Sequence, residues 1–125
     1  MADKRKRVVV KLGTGILTKA SRDGLDTGQF RRLSAEIAEL IHAGTETVMV
    51  TSGAVGAGLM QLKMTERPSD LPSVQAAAAI GQSRLMRLYA TLFARHGLHV
   101  AQLLLTHQDL DSRTRCRTHG IHWNG

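Results

Sequence analysis

Short apolar runs alternate with helical patterns along most of this 125-residue chain, and this alternation limits the folds it can adopt. VVVKL at residues 8–12 is rich in β-branched side chains and predicts a strand buried on both faces, and TVMVT at 47–51 predicts a second buried strand. LHVAQLLL at 98–105 predicts a third strand. Because strands that alternate with helices form βαβ units, the sequence predicts the α/β class with a mainly parallel sheet.

Helices are expected between these strands. Asp26 or Thr27 can cap the first helix, which ends before Gly44, and a second helix begins at Gly53 or Ala54. The first helix places five apolar side chains on one face: Phe30, Leu33, Ile37, Leu40 and Ile41. This face is expected to pack against the sheet.

A third and longer helix is expected in the second half of the chain. The second helix runs to about Leu62, and residues 63–72 are predicted as a loop because they contain both prolines. Ser73 can cap the third helix, which reaches about Arg95 and is followed by Gly97.

The composition is typical of one globular domain in the cytoplasm. Hydrophobic residues make up 42% of the chain, yet no apolar run approaches the roughly 18 residues of a membrane helix. No secretory signal is recognised, and the single cysteine excludes an intramolecular disulfide. The net charge of +7 comes from basic residues near the two ends without interleaved aromatic residues, so nucleic acid is not an expected partner.

The last ten residues, CRTHGIHWNG at 116–125, lack the periodicity of the preceding chain. Cys116, His119 and His122 are too closely spaced for a usual zinc finger and have no evident fourth ligand, so no metal site is expected. We expect residues 1–115 to be the first part of a single domain. Residues 116–125 are expected to be an aberrant tail from out-of-frame translation or read-through.

A glycine-rich turn follows each of the first two predicted strands, at the sheet edge where parallel sheets bind ligands. In KLGTG, Lys11 lies near the end of the strand, and Gly13 and Thr14 form the turn. A lysine in an apolar strand can point its ammonium group into a crevice toward a polyphosphate, or extend it to solvent at the sheet edge. Both interpretations of Lys11 stay open on the residues alone.

The second turn lies in VTSGAVGAG at 50–58. Ser52, Gly53 and Ala54 follow the strand, and backbone N–H groups at the start of the next helix can face the same crevice as Lys11. Neither turn matches the Walker pattern or the GxGxxG pattern. The two later glycines of this segment, Gly56 and Gly58, are explained best by close helix packing. The residues therefore predict an anion site built from two loops, with no ligand identified.

Five segments in this order and spacing resemble the N-terminal half of the glutamate 5-kinases, within the amino acid kinase superfamily: VVVKLGTGILT (8–18), VTSGAVGAG (50–58), QAAAAIGQSRLM (75–86), LFARHG (92–97) and VAQLLLTHQDL (100–110). The resemblance extends from about Val8 to Arg115. It implies a three-layer αβα sandwich around a mainly parallel sheet, the amino acid kinase fold, which is incomplete in this chain.

The resemblance also implies an activity. Glutamate 5-kinases transfer the γ-phosphoryl group of MgATP to the γ-carboxylate of L-glutamate, the first step of proline biosynthesis, so ATP and Mg²⁺ are the implied cofactors. Lys11 matches the motif lysine that contacts ATP phosphates and is the implied catalytic residue. Gly13 and Thr14 match the ATP-binding turn beside it.

The glutamate-binding turn of the family corresponds to Ser52, Gly53 and Ala54. L-glutamate is therefore the implied substrate of the second loop. The resemblance further implies feedback inhibition by proline and a homo-oligomer for the full-length enzyme.

Several alternatives stay open. The chain can belong to a sibling kinase that acts on aspartate, N-acetylglutamate, carbamate or uridylate. It can also be a non-catalytic fragment that associates with intact kinase subunits, whereas nucleic-acid binding through its basic ends is the least favoured. For a kinase fragment that carries half an active site, we expect poor folding and no kinase activity from the chain alone.

Overall fold

The structure is a computed structural model, which describes residues 6–19, 25–105 and 108. Two strands, β1 (Arg7–Leu12) and β2 (Glu46–Thr51), pair in parallel as a two-stranded sheet. In this register, Arg7 lies opposite Glu46 and Leu12 lies opposite Thr51. The α/β class and the parallel sheet are therefore confirmed.

The connection from β1 to β2 contains two helices, α1 (Thr14–Leu17) and α2 (Thr27–His42). The short helix α1 was not predicted. The Asp26 carboxylate accepts a hydrogen bond from the backbone N–H of Gln29 at 3.0 Å, so Asp26 is the N-cap of α2. The predicted end of α2 before Gly44 is confirmed.

The buried side of α2 is narrower than its apolar pattern predicts. Phe30 and Ile37 are buried, but Leu40 is 40% exposed, so the expectation that it belongs to the buried face is wrong. Two small residues, Ser34 and Ala38, are buried on α2 as well. Which side chains of α2 are buried therefore depends on which side of the helix faces the rest of the fold, and not on hydrophobicity alone.

The second half of the described chain contains α3 (Ala54–Gln61) and α4 (Leu71–Ala94). The predicted cap of α4 at Ser73 is wrong, because the Asp70 carboxylate caps the helix by accepting the Ser73 N–H at 2.8 Å. Hydrogen bonds from Ser73 hold the pKa of the Asp70 carboxyl below its ordinary value. Pro72 fits in the first turn because the first N–H groups of a helix have no intrahelical acceptor.

Glycines allow α3 and α4 to pack with their backbones in contact. A Cβ atom on Gly58 would overlap the Ala77 carbonyl group, and one on Gly81 would overlap the carbonyl oxygen of Ala54. A Cβ atom on Gly56 would have no neighbour within 4 Å. Close helix packing is thus confirmed for Gly58 and wrong for Gly56.

The core lies on one face of the sheet. Val10 and Met49 pack against a cluster of buried side chains, whereas Val9 is 63% exposed and Val50 is 50% exposed. The cluster joins β1, helices α1 to α4 and the segment before α2: Leu12, Leu17, Leu25, Phe30, Ile37, Ala57, Leu85, Tyr89, Leu92 and Phe93. The expectation of strands buried on both faces is wrong, because the described helices cover only one face and side chains alternate along a strand.

The predicted third strand at residues 98–105 is absent from the part of the chain that the structure describes. Leu98 and Val100 pack against the core, but residues 103–105 are exposed, Leu104 by 80%. Apolar and β-branched residues favour an extended backbone, but a strand also needs a neighbouring backbone as its hydrogen-bond partner. No described residue pairs with this segment.

We expect Gly81→Ala to lower the free energy of unfolding by about 1–3 kcal/mol, because its methyl group overpacks the contact between α3 and α4. Gly56→Ala is the matched control, since it makes the same change in a helix with open space around it. It is expected to raise stability by about 0.5–1 kcal/mol through helix propensity. Urea unfolding followed by circular dichroism measures both, and equal effects would contradict a backbone contact at Gly81.

Candidate functional site

The carboxyl ends of β1 and β2 hold two loops side by side. The final pair of the register is Leu12 and Thr51, so Gly13 and Ser52 each follow the same end of the sheet. The Ser52 N–H donates to the Leu12 carbonyl oxygen at 3.1 Å, which extends the ladder by one residue beyond the strands. The backbone therefore positions the two predicted binding turns next to each other.

Two hydroxyl groups meet where these turns adjoin. Thr14 Oγ1 and Ser52 Oγ are 3.0 Å apart, within hydrogen-bond distance, and both residues are exposed. Ser52 Oγ also lies 3.3 Å from the Leu12 carbonyl oxygen, to which it can donate. When it does so, Thr14 is the donor in the hydroxyl pair. Thr14 from the first predicted loop and Ser52 from the second are thus brought into direct contact.

The N-terminus of α3 lies immediately after Ser52. Its N-cap is Gly53, whose φ of +100° lies in the left-handed region that favours glycine. No side chain caps the helix, so its first N–H groups, beginning with Ala54, are not used by a capping residue. Such groups carry partial positive charge and can donate to an anion.

Lys11 lies on the opposite side of β1 from the core. It pairs with Val50 in the register, and its side chain is exposed, as are those of Val9 and Val50. Among the described residues Lys11 has no hydrogen bond or ion pair, and the structure does not bring it into contact with the hydroxyl pair. Leu12, which is buried in the core, and Gly13, the N-cap of α1, lie between Lys11 and Thr14 in the chain.

Tyr89 of α4 supports this end of the sheet and was not predicted from the sequence as part of the site. Its hydroxyl lies 2.7 Å from Thr51 Oγ1, one residue before Ser52. Burial raises the pKa of the Tyr89 phenol, and this effect exceeds the opposing effect of the hydrogen bond with Thr51. The phenol therefore stays neutral near pH 7. A lone tyrosine on the apolar face of a helix was the available signal, because a buried phenol usually finds a polar partner.

The described residues offer no alternative metal centre. They contain no group of three or more His, Cys, Asp or Glu side chains that could hold an ion. Cys116, His119 and His122, which were considered for a metal site, lie outside the described residues. In the described part of the chain, no helix is sufficiently long and apolar to cross a bilayer.

The sequence profile of the amino acid kinase family matches residues 6–122. This chain belongs to the amino acid kinase family. The resemblance of the segments between Val8 and Arg115 to this family is thereby confirmed, and the α/β structure with a parallel sheet agrees with it.

Its similar proteins include several that are named Glutamate 5-kinase. The chain is 54% identical over 112 residues to the one from Geobacter sp. (strain M21) and 53% identical over 112 residues to the one from Pelobacter propionicus. It is 46% identical over 110 residues to the one from Acinetobacter baylyi. These alignments cover 88–90% of this chain but only 29–30% of the relatives. The chain thus spans about 30% of the length of the curated relatives it matches.

The contact between Thr51 and Tyr89 can be measured with a double-mutant cycle. We expect Thr51→Val and Tyr89→Phe each to lower the free energy of unfolding by about 0.5–1.5 kcal/mol, because both remove the hydrogen bond between the two hydroxyls. Thr51→Val also removes the hydrogen bond from Thr51 Oγ1 to the Ser52 carbonyl oxygen at 3.2 Å. The double variant should lose less than the sum of the two, with a coupling of at least about 0.5 kcal/mol. Urea titrations of the four proteins provide the values, and strict additivity would show that the contact contributes nothing.

Proposed function

We propose that this chain is the first part of a glutamate 5-kinase, which transfers the γ-phosphoryl group of MgATP to the γ-carboxylate of L-glutamate in proline biosynthesis. The observation that carries the proposal is the 3.0 Å contact between Thr14 and Ser52. It joins the loop assigned to ATP with the loop assigned to glutamate, as an enzyme needs for direct transfer between two bound substrates. The names of the similar proteins support the choice of glutamate.

The first loop is proposed to bind ATP. Lys11 supplies a positive charge for the phosphate oxygens and is the proposed catalytic residue. Gly13 is the N-cap of α1 and Thr14 is its first residue. The Thr14 hydroxyl can donate to a phosphate oxygen in place of its contact with Ser52. Phosphoryl transfer depends mainly on positioning and on stabilising developing negative charge, so a lysine and fixed donors are the chemistry required.

The second loop is proposed to bind glutamate. Ser52 offers its hydroxyl, and Gly53 and Ala54 offer backbone N–H groups at the start of α3. The two backbone N–H groups are fixed by the sheet and by the helix, so they need no rearrangement as charge develops on the acyl phosphate. The Ser52 hydroxyl has to turn away from the Leu12 carbonyl oxygen before it can donate to the substrate. Gly53 adopts the left-handed backbone that favours glycine, and this conformation connects β2 directly to α3.

The six residues of the two loops fit an anionic substrate and do not by themselves hold Mg²⁺. They provide an ammonium group, hydroxyls and N–H donors but no carboxylate, whereas Mg²⁺ prefers carboxylate, phosphate and water oxygens. We therefore propose that Mg²⁺ is held here through the phosphates of ATP. When bound, it neutralises charge on the β- and γ-phosphate oxygens.

We also propose that the chain has no kinase activity alone, because it spans only about 30% of its relatives. From the family resemblance we propose that the protein is cytoplasmic, is inhibited by proline, assembles into a homo-oligomer and has a domain boundary at Arg115.

The open sheet face around Val9 and Val50 favours a second role, as a fragment that associates with intact kinase subunits. Size-exclusion chromatography with the Geobacter relative tests this role, and separate elution would contradict it.

The catalytic proposal can be tested in a chimera that joins this chain to the part of the Geobacter relative beyond the matched region. Glutamate-dependent ATP turnover is expected from the chimera and not from the chain alone. Lys11→Ala in the chimera should lower kcat by about 10²–10³, the usual effect of removing one fixed charge-stabilising group. Formation of γ-glutamyl hydroxamate provides the measurement.

Lys6→Ala is the matched control, because Lys6 is also an exposed lysine next to β1 but lies at the opposite end of the strand. It should leave kcat within about twofold of the parent chimera. Equal effects of the two substitutions would remove Lys11 from the catalytic role. A chimera that prefers aspartate, N-acetylglutamate, carbamate or uridylate would reassign it to a sibling kinase.

A further inference from the structure

A second cleft lies between α4, the end of α3 and the segment that leads into α2. Its volume is about 590 Å³, within the 300–1,000 Å³ that is typical of small-molecule sites. We name it the basic cleft after the three cationic side chains that line it, Lys19, Arg84 and Arg87. Beside them lies an apolar surface formed by Leu25, Met60 and Leu88. None of the residues assigned to ATP or glutamate lines it.

One face of α4 supplies four of the eight residues that line the basic cleft. Arg84, Arg87, Leu88 and Thr91 follow helical spacing, so their side chains project on the same side of the helix. Arg84 is oriented by Gln61 at the end of α3, whose Oε1 accepts a hydrogen bond from Nη1 at 3.2 Å. Because a guanidinium has five N–H donors, Arg84 keeps donors for a ligand.

The cleft has an apolar wall and a cationic rim. Leu25 is buried, Met60 and Leu88 are half-buried, and the charged side chains of Lys19, Arg84 and Arg87 are exposed around them. Thr27 and Thr91 add hydroxyl groups to the lining. This arrangement can hold an anionic group at the rim while a short carbon skeleton lies against the wall.

No described carboxylate forms an ion pair with the charges at the rim of the cleft. Elsewhere, Arg7 contacts Glu46 at 2.7 Å and Arg32 contacts Glu36 at 3.5 Å. By contrast, no carboxylate is among the described residues that line the cleft, and neither Lys19 nor Arg87 has an ion pair with a described residue. Three like charges around one cleft repel each other, and a bound anion would relieve that repulsion.

We propose that the basic cleft binds a small organic dianion, a phosphate ester or a dicarboxylate, at a site separate from the one for phosphoryl transfer. The two arginines favour such groups because a guanidinium can make paired hydrogen bonds to carboxylate or phosphate oxygens. The apolar wall favours a ligand with a carbon skeleton over an inorganic ion. Since the cleft shares no residue with the two loops, its occupancy can be tested apart from kinase activity.

The test is a titration of the ¹⁵N-labelled chain with glycerol phosphate, succinate and acetate, followed by backbone amide shifts. We expect saturable shifts at Met60, Leu88 and Thr91 with at least one dianion, and at least tenfold weaker binding of acetate. Tighter binding of glycerol phosphate assigns the site to phosphate esters, and tighter binding of succinate assigns it to dicarboxylates. Shifts without saturation, or confined to residues around Ser52, would overturn the proposal.

Two double variants that remove the same number of charges distinguish binding at the basic cleft from a general electrostatic effect of the protein's positive charge. Arg84→Gln with Arg87→Gln should weaken dianion binding at least tenfold. Arg31→Gln with Arg95→Gln removes the same two charges from exposed positions outside the cleft and should change binding less than twofold. Lys19→Gln provides a second test outside α4, with at least a threefold loss expected. Equal losses in the two double variants would overturn the proposal.

Discussion

The parallel pairing of β1 with β2 is the constraint on which the rest of the structure depends. It joins residues about 40 positions apart, and its last hydrogen bond, from the Ser52 N–H to Leu12, lies beyond the strands themselves. Because both strands run in the same direction, their following loops must emerge at one edge. The contact between Thr14 and Ser52 and the start of α3 beside it are consequences of that pairing.

The helices support this edge from one side only. Aromatic rings connect α2 to α4, with ring centroids of Phe30 and Tyr89 at 5.3 Å, and the Tyr89 hydroxyl continues the connection to Thr51. Backbone contact through Gly58 and Gly81 fixes α3 against α4. Helix α4 therefore supports the strand that precedes the second loop and also lines one side of the basic cleft.

The sequence was sufficient for the elements whose signals are local. β-Branched runs predicted the strands β1 and β2, and side-chain chemistry predicted a cap at Asp26 or Thr27, of which the structure has Asp26. These features depend on residues close in the chain. Position 73 was misassigned because Asp70 and Ser73 are both good caps, and only the backbone decides between them. The missing third strand, the open face and the contact with Tyr89 depend on which distant groups meet, which a single sequence pattern does not record.

The order in which these parts are synthesised follows from their positions. Both loops of the candidate site lie within the first 54 residues, whereas Tyr89 comes 38 residues after Thr51. During translation, the two strands can leave the ribosome before the helix that anchors their carboxyl ends has been made. Thr14 and Ser52, which form the hydroxyl pair, are therefore both synthesised early. The Tyr89 phenol that holds the end of β2 is added only when α4 is nearly complete.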